Sequence, residues 1–472
     1  MEKLIELEYP RPAAQLAGLL KKIRRLHPAT LLAASFVMAI LAGAALLMLP
    51  AATVSGKIAL IDALFTATSA VCVTGLTVVN TGSYFTRFGQ SVILALIQIG
   101  GLGVMTISVT VFSLIGKSIS IRQRMIMQDV FSHTPREDIL QVVKSIFLFT
   151  GIVELLGTGL LFIHWAADYP VGRALYLALF HSVSAFCNAG FSTFSNSMTG
   201  YRQDLLLNAS MCLLIVLGGI GFPVLYDLFR AASVYPRKRY RLSVQTKTVL
   251  STTFLLILGG ALLFGVLERN AVLQGSSVTE RILASVFQSI TSRTAGFNTV
   301  DIGALNPATL AMLIFLMFVG ASPGSCGGGV KTTSLAAVGA YAWSRIRNRF
   351  RVNLFKRSLP FETVIKSASL ILAALGLIAF VLFMLLVTVP SDPTAGATMR
   401  GLFLPYLFEA VSAFGTVGLS MGATATLTGS GKFWIMLLML IGRVGLLTFS
   451  YVISGAAATN GREYAEENMM IG

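Results

Sequence analysis

Charge is scarce in this chain of 472 residues: Asp, Glu, Lys and Arg together make up 12% of it, against 55% apolar residues and a mean hydropathy of +0.78. A water-soluble domain of this size cannot expose such a surface without aggregating, so the composition excludes one and predicts an integral membrane protein. Cysteine and histidine are also few, four of each. Cys72, Cys187, Cys212 and Cys326 sit in apolar surroundings without paired metal spacing, which leaves neither a disulfide frame nor a zinc site to expect. No His/Asp/Ser or metal-spaced set appears, so the reading is not an enzyme. Residues 1–28 carry both signs of charge, with Pro10 and Pro12, and no apolar core before a small-residue cleavage site, so no secretory signal is read there.

Crossing a bilayer takes about 20 apolar residues in a helix. Eight stretches qualify: Ala29 to Leu49, Gln90 to Ile115, Ile139 to Ala166, Leu205 to Leu228, Thr248 to Val266, Pro307 to Phe318 continuing through a glycine-rich break to Trp343, Val364 to Val387, and Phe433 to Ser454. The formal charge of +16 suggests nucleic acid at first sight. The basic residues, however, cluster in alternate loops: Lys21, Lys22, Arg24 and Arg25; Lys117, Arg122 and Arg124; Arg237, Lys238, Arg239 and Arg241; and Arg345 to Arg357. That is the pattern of cytoplasmic loops, with anionic membrane lipid as a secondary partner, and no nucleic acid is expected. It places both termini in the cytoplasm of a multi-pass protein of the inner (plasma) membrane.

Between the spans one unit recurs four times: LFTATSAVCVTGLT from Leu64, LFHSVSAFCNAGFS from Leu179, VFQSITSRTAGFNT from Val286 and LFEAVSAFGTVGLS from Leu407. Their glycines, Gly75, Gly190, Gly296 and Gly418, are 115, 106 and 122 residues apart, a repeat length of domains rather than solenoid turns. Each unit is too short to cross, and non-helical backbone survives at membrane depth only where protein buries it or water reaches it. The expected fold is therefore an all-α integral membrane protein of four tandem helix–pore loop–helix repeats, eight transmembrane helices around a pseudo-fourfold pore. The repeats fall at 29–116, 117–232, 233–344 and 345–457, between a cytoplasmic arm (1–28) and a cytoplasmic tail (458–472).

A short helix in each unit should end near Cys72, Cys187, Ser292 and Gly415, aiming its partly negative carbonyl end at a cation. The tetrapeptides that follow are Val73, Thr74, Gly75 and Leu76; Asn188, Ala189, Gly190 and Phe191; Thr294, Ala295, Gly296 and Phe297; and Thr416, Val417, Gly418 and Leu419. Extended, they can turn backbone carbonyls to a common axis and replace the hydration shell of an alkali cation, as a potassium selectivity filter does.

SAVCVTGLT, SRTAGFNTVD (Ser292 to Asp301), GASPGSCGGGVKTT (Gly320 to Thr333) and IGRVGLLT (Ile441 to Thr448) together resemble the membrane subunit of the Trk/Ktr/HKT superfamily of potassium transporters, over nearly the whole chain. The single span before the first pore segment is most similar to the bacterial Ktr type. The resemblance implies a homodimer, each subunit with its own K+ path, docked on a cytosolic nucleotide-binding regulatory ring of the KtrA type, with Na+ stimulation left open. It also implies selectivity for potassium, since serine at the first filter glycine goes with sodium and all four positions are glycine here.

Each second helix carries a glycine echo: GGLG at Gly100, GGIGF at Gly218, GASPG at Gly320 and GRVG at Gly442. In the third copy Pro323, Gly324, Gly327, Gly328 and Gly329 must break the helix. The resemblance makes residues 320–333 an intramembrane gating loop, with Ser322, Ser325, Thr332 and Thr333 as polar contacts and Cys326 where relatives carry a small hydroxyl residue. A phosphate-loop reading fails, because Val330 rather than glycine precedes Lys331, which is expected to reach toward the cytoplasm. Arg443 lies inside an apolar span, so it should face a cavity or a partner; the resemblance puts it in the pore beside the loop, while pairing with a structural carboxylate is the alternative. Asp62 and Glu409 are read as early pore-helix anchors, Glu409 with Arg400 as a possible partner, and Glu154 as facing either a neighbouring helix or the pore. A Trk-type or sodium-coupled potassium symporter is the other transport reading.

Overall fold

The computed structural model describes residues 28–103, 139–234, 240–388, 401–446 and 449. The expected terminal arm and tail, the basic clusters before Ala29 and at Lys117 to Arg124, residues 237–239, Arg400 and the far ends of the spans beginning at Gln90 and Phe433 lie outside them. Among the described residues the chain runs α1 (Pro28–Leu47), α2 (Leu60–Val71), α3 (Arg87–Leu102), α4 (Ile139–Trp165), α5 (Val171–Phe186), α6 (Leu205–Ile220) and α7 (Phe222–Val234). It continues through α8 (Val244–Leu267), α9 (Val278–Thr294), α10 (Pro307–Phe318), α11 (Thr332–Ile346), a hairpin of β1 (Asn353–Leu354) with β2 (Arg357–Ser358), α12 (Phe361–Val387), α13 (Phe403–Gly415) and α14 (Gly429–Val444).

Among the described residues three helices, α4, α8 and α12, are long and apolar enough to cross a membrane, and α6 with α7 passes only as a pair bent by 100°. The outward faces of the long helices are greasy: Leu155 and Ile163 on α4, Leu255 and Val266 on α8, Leu372 and Phe383 on α12 are exposed. The interior holds polar groups, among them His181, Gln288, Arg293 and Glu409, all buried. This inversion suits a hydrocarbon surround, where a polar side chain has no partner outside the protein.

Packing closes the four units into a ring. The short helices α2, α5, α9 and α13 each lie against the preceding unit's second helix: α3 on α5, α6 on α9, α10 on α13, and α14 back on α2. Side chains tie several seams at one end of the ring. Tyr176 Oη donates to Gln90 Oε1 at 2.8 Å, Arg202 pairs with Glu280 at 3.0 Å, and Lys432 pairs with Asp62 at 2.7 Å.

The continuous span expected over Leu205 to Leu228 is corrected to two helices. Gly221 has φ +98°, which ends α6, and α7 then leaves at the bend. Gly103 (φ +81°) and Gly445 (φ +92°) end α3 and α14 in the same way, whereas α10 stops at Phe318, ahead of its glycine-rich segment. An L side chain is strained in that backbone region, so in these three units the glycine echo marks the helix stop. The expected boundaries at 232 and 344 fall inside α7 and α11. Asp227 of α7 accepts from Tyr240 Oη (2.7 Å), Ser243 N and Thr246 Oγ1, fastening α7 to the start of α8; the same bond to Asp227 raises the Tyr240 phenol pKa.

Candidate functional site

The four glycines meet. A methyl built on Gly75 would lie 2.5 Å from Ala189 O and 3.1 Å from Gly190 Cα; one on Gly190 would lie 2.7 Å from Ala295 O and 3.2 Å from Gly296 Cα. On Gly296 it would strike Val417 O and lie 3.1 Å from Gly418 Cα, and on Gly418 it would strike Thr74 O and lie 3.0 Å from Gly75 Cα. The order is first to second to third to fourth and back to first, so the backbone of four separate units forms a closed ring. All four glycines have positive φ, from +69° to +92°. A side chain is excluded on two independent grounds, backbone strain and collision with the next unit.

The ring is held from behind by the sixth residue of each unit, a hydroxyl in every copy. Ser69 Oγ accepts from Gly75 N and Ser412 Oγ from Gly418 N, both at 3.0 Å. Ser184 Oγ donates to Phe191 O (2.8 Å), and Thr291 Oγ1 donates to Phe297 O (2.7 Å). The third residue is polar in every copy too. His181 Nε2 meets Ser192 Oγ at 3.0 Å, while Glu409 accepts from Ser420 and from Thr424 Oγ1, the latter at 2.6 Å. Glu409 is thus a mid-helix tie to the chain after the ring, a correction to its place early in the helix.

In three units the first tetrapeptide residue is left-handed, Val73 at φ +55°, Asn188 at +59° and Thr416 at +50°. The third unit reaches its glycine one residue sooner, at the eleventh position rather than the twelfth. Its helix runs on to Thr294, not to Ser292 as expected, and Thr294 is helical rather than extended. Left-handed Val73 and Thr416 are β-branched, each costing about 1–3 kcal/mol, and such strain persists only where the surroundings impose it.

On one side of the ring a cleft opens, lined by all four glycines and by polar residues of the segments that leave them, including Asn80, Ser195, Asn298, Asp301 and Ser420. On the other side lies the segment between α10 and α11. Gly328 N donates to Thr416 Oγ1 at 2.9 Å, and Gly327 packs against Thr294. The segment also docks on the break of α6: Ser322 N donates to Gly219 O (3.1 Å), Cys326 N to Gly218 O (3.1 Å), and Phe222 N to Gly324 O (3.0 Å). Ser325 Oγ donates to Ser322 O (2.6 Å), and Ser322 Oγ meets Thr332 Oγ1 at 3.0 Å. Gly221 and Pro223 of the break pack on Pro323 and Gly324, and Gly320 packs on Gly328 and Gly329.

Two cations cover consecutive carbonyls of this segment. Arg443 donates to Cys326 O and to Gly100 O, and Lys331 Nζ donates to Gly327 O at 2.8 Å. Lys331 therefore folds back onto the loop instead of extending away from it, which corrects the expectation. No carboxylate pairs with Arg443 among the described ion pairs. Glu154 faces a neighbouring helix, accepting from Gln98 Nε2 of α3 at 3.2 Å and lying 3.9 Å from Cys187 Sγ.

Sequence reasoning missed Arg293, buried one residue before the third ring segment with Nη2 3.4 Å from Gly320 O. It missed the hydroxyl at the sixth position as well, though aligning the four units would have found it.

The chain matches the TrkH family, described as cation transport protein, over residues 21–457. It is 37% identical to Ktr system potassium uptake protein B of Bacillus subtilis, covering 92% of this chain and 95% of that one. It is 38% identical to the protein of the same name from Vibrio alginolyticus (93% of each) and 36% identical to potassium/sodium uptake protein NtpJ of Enterococcus hirae (96% and 99%). In fold it is similar to the crystal structure of the potassium transporter TrkH from Vibrio parahaemolyticus, with a TM-score of 0.67, 18% identity, and 94% and 95% of the two chains covered.

Proposed function

This chain belongs to the TrkH family of cation transport proteins, and from that premise we propose that it is the potassium-conducting membrane subunit of a Ktr-type uptake system. The observation that carries this reading is the ring itself, whose four glycines abut in cyclic order. Peptide oxygens at Thr74, Ala189, Ala295 and Val417 replace the water of one dehydrated ion, and the ends of α2, α5, α9 and α13 add about half a negative charge each toward it. Potassium passes downhill from the polar cleft through the ring.

Residues 320–333 act as the gate beneath it. Arg443 sets a positive charge on the exit side, opposing a cation there, and its bond to Cys326 O stabilises the closed loop. The names of the relatives support potassium as the cargo, and that of the Enterococcus hirae protein keeps sodium coupling as a second reading. The working unit is a homodimer on a cytosolic nucleotide-binding regulatory ring. Support for a docking face comes from the basic end of α11 and its hairpin, where Arg345 and Arg347 stand over the Tyr341 and Trp343 rings.

Protein reconstituted in liposomes tests the conducting role. Potassium should flow down its own gradient without sodium, and Gly75→Ser should admit sodium at potassium's expense. Flux that requires a sodium gradient would favour the symporter; ion competition unchanged by Gly75→Ser would remove the filter assignment.

A further inference from the structure

Glu154, on α4, is a buried carboxylate within an apolar span, and it takes part in none of the described ion pairs. An ionisable residue is costly to keep at such a depth, so a role is expected of it. Its contacts reach the helices on both sides. Gln98 Nε2 of α3 donates to Glu154 Oε2 at 3.2 Å, and the backbone oxygen of Glu154 accepts from Ser182 Oγ of α5 at 2.7 Å. Cys187, which caps the C-terminal end of α5 immediately before the second ring segment, has its Sγ 3.9 Å from Glu154 Oε1 and 3.8 Å from Gln98 Oε1.

The three helices close tightly on one another here. A methyl built on Gly101 of α3 would strike Cys187 Sγ and lie 2.8 Å from its Cβ, and one on Gly157 of α4 would lie 2.6 Å from Ser182 Oγ. Just beyond Cys187 the chain turns left-handed at Asn188 (φ +59°), and Ala189 O then abuts Gly75 in the ring. The polar pair belongs to this seam. Two residues before the glycine echo the other units carry Val216, Phe318 and Leu440 in place of Gln98, and Phe318 stacks on Phe414 of the fourth unit with ring centres 6.2 Å apart. An apolar contact fills there the place that Gln98 and Glu154 fill here.

We propose that Glu154 and Gln98 are specificity-determining positioning residues: their carboxylate–amide bond clasps α4 to α3 around Cys187 and so fixes where Ala189 O stands in the ring. Neither side chain touches the ion. Selection by a ring of carbonyls depends on how many oxygens reach the ion and how far apart they stand, and this clasp holds one of the four from behind, beside the bond of Ser184 Oγ to Phe191 O. The inference rests on the reading of the ring as the selecting element.

The test measures potassium flux and sodium competition on the whole protein in liposomes, with thermal unfolding followed on the same preparations. Glu154→Leu and Gln98→Leu should each lower discrimination about tenfold, since either leaves the other polar group buried without its partner. The double variant should fall no further than the singles, because both break one bond. Glu154→Gln keeps an oxygen that accepts from Gln98 Nε2 and should keep most of the discrimination. Gln98→Asn withdraws the amide by one methylene and should lose discrimination too, which carries the test if the leucine variants do not fold. Additive losses, or a fall in Glu154→Gln as deep as in Glu154→Leu, would overturn the clasp. So would leucine or asparagine variants that unfold at lower temperature yet discriminate as wild type does. Gly75→Ser measured alongside separates the two readings: competition altered in Gly75→Ser but not in the clasp variants overturns the clasp alone, and competition unaltered in all of them overturns the ring as well.

Discussion

At the scale of single residues, the account turns on the absence of a side chain at four positions. Gly75→Ala adds a methyl 2.5 Å from Ala189 O on a backbone at φ +89°, so the ring must distort. Competition between potassium and sodium in liposome flux should lose about tenfold of its discrimination or more. Gly151→Ala on α4 meets nothing within 4 Å at ordinary φ and should leave discrimination unchanged. The tetrapeptides were legible in the sequence because their spacing repeats with the hydrophobic spans. Glu409, Lys331 and Arg293 were not, because a buried polar side chain declares its partner only through tertiary contacts. Glu409 reaches Thr424, fifteen residues on, and Arg293 reaches Gly320, twenty-seven on.

At the scale of elements, the segment between α10 and α11 is bonded to the break between α6 and α7. The glycine echo announced a break in the third unit, where proline and glycine crowd together. The stops at Gly103, Gly221 and Gly445 stayed hidden inside runs that read as continuous apolar spans, since hydropathy does not register φ. Gly221→Ala places a methyl 2.5 Å from Pro323 O at φ +98°. It should lower the thermal unfolding temperature and loosen the loop, a cost of about 1–2 kcal/mol from the backbone alone. Arg443→Ala removes charge-assisted bonds to Cys326 O and Gly100 O, each worth about 1.5–3 kcal/mol, and so should shift the loop toward its open state and raise potassium flux about tenfold. Flux equal to or below wild type from folded protein would contradict the gate.

At the scale of the whole molecule, four units of one chain must close a ring, and the seam between the last and the first is the one that chain connectivity does not help. The half-buried pair of Lys432 with Asp62 spans it, joining the start of α14 to the start of α2. Lys432→Asp should weaken potassium flux and thermal stability together, and the exchange Asp62→Lys with Lys432→Asp should recover part of both. Recovery would separate an electrostatic seam from mere packing. The order of the units around the ring follows from sequence order, but the closing contact itself is a property of the folded chain.

The most direct measurement is crystallographic: protein crystals soaked in thallium or rubidium, with anomalous maps calculated at the ring. The account predicts a peak on the axis enclosed by the carbonyls of Thr74, Ala189, Ala295 and Val417, reduced by competing potassium and lost in Gly75→Ala. Anomalous density confined to other places, in protein that still carries potassium, would contradict it.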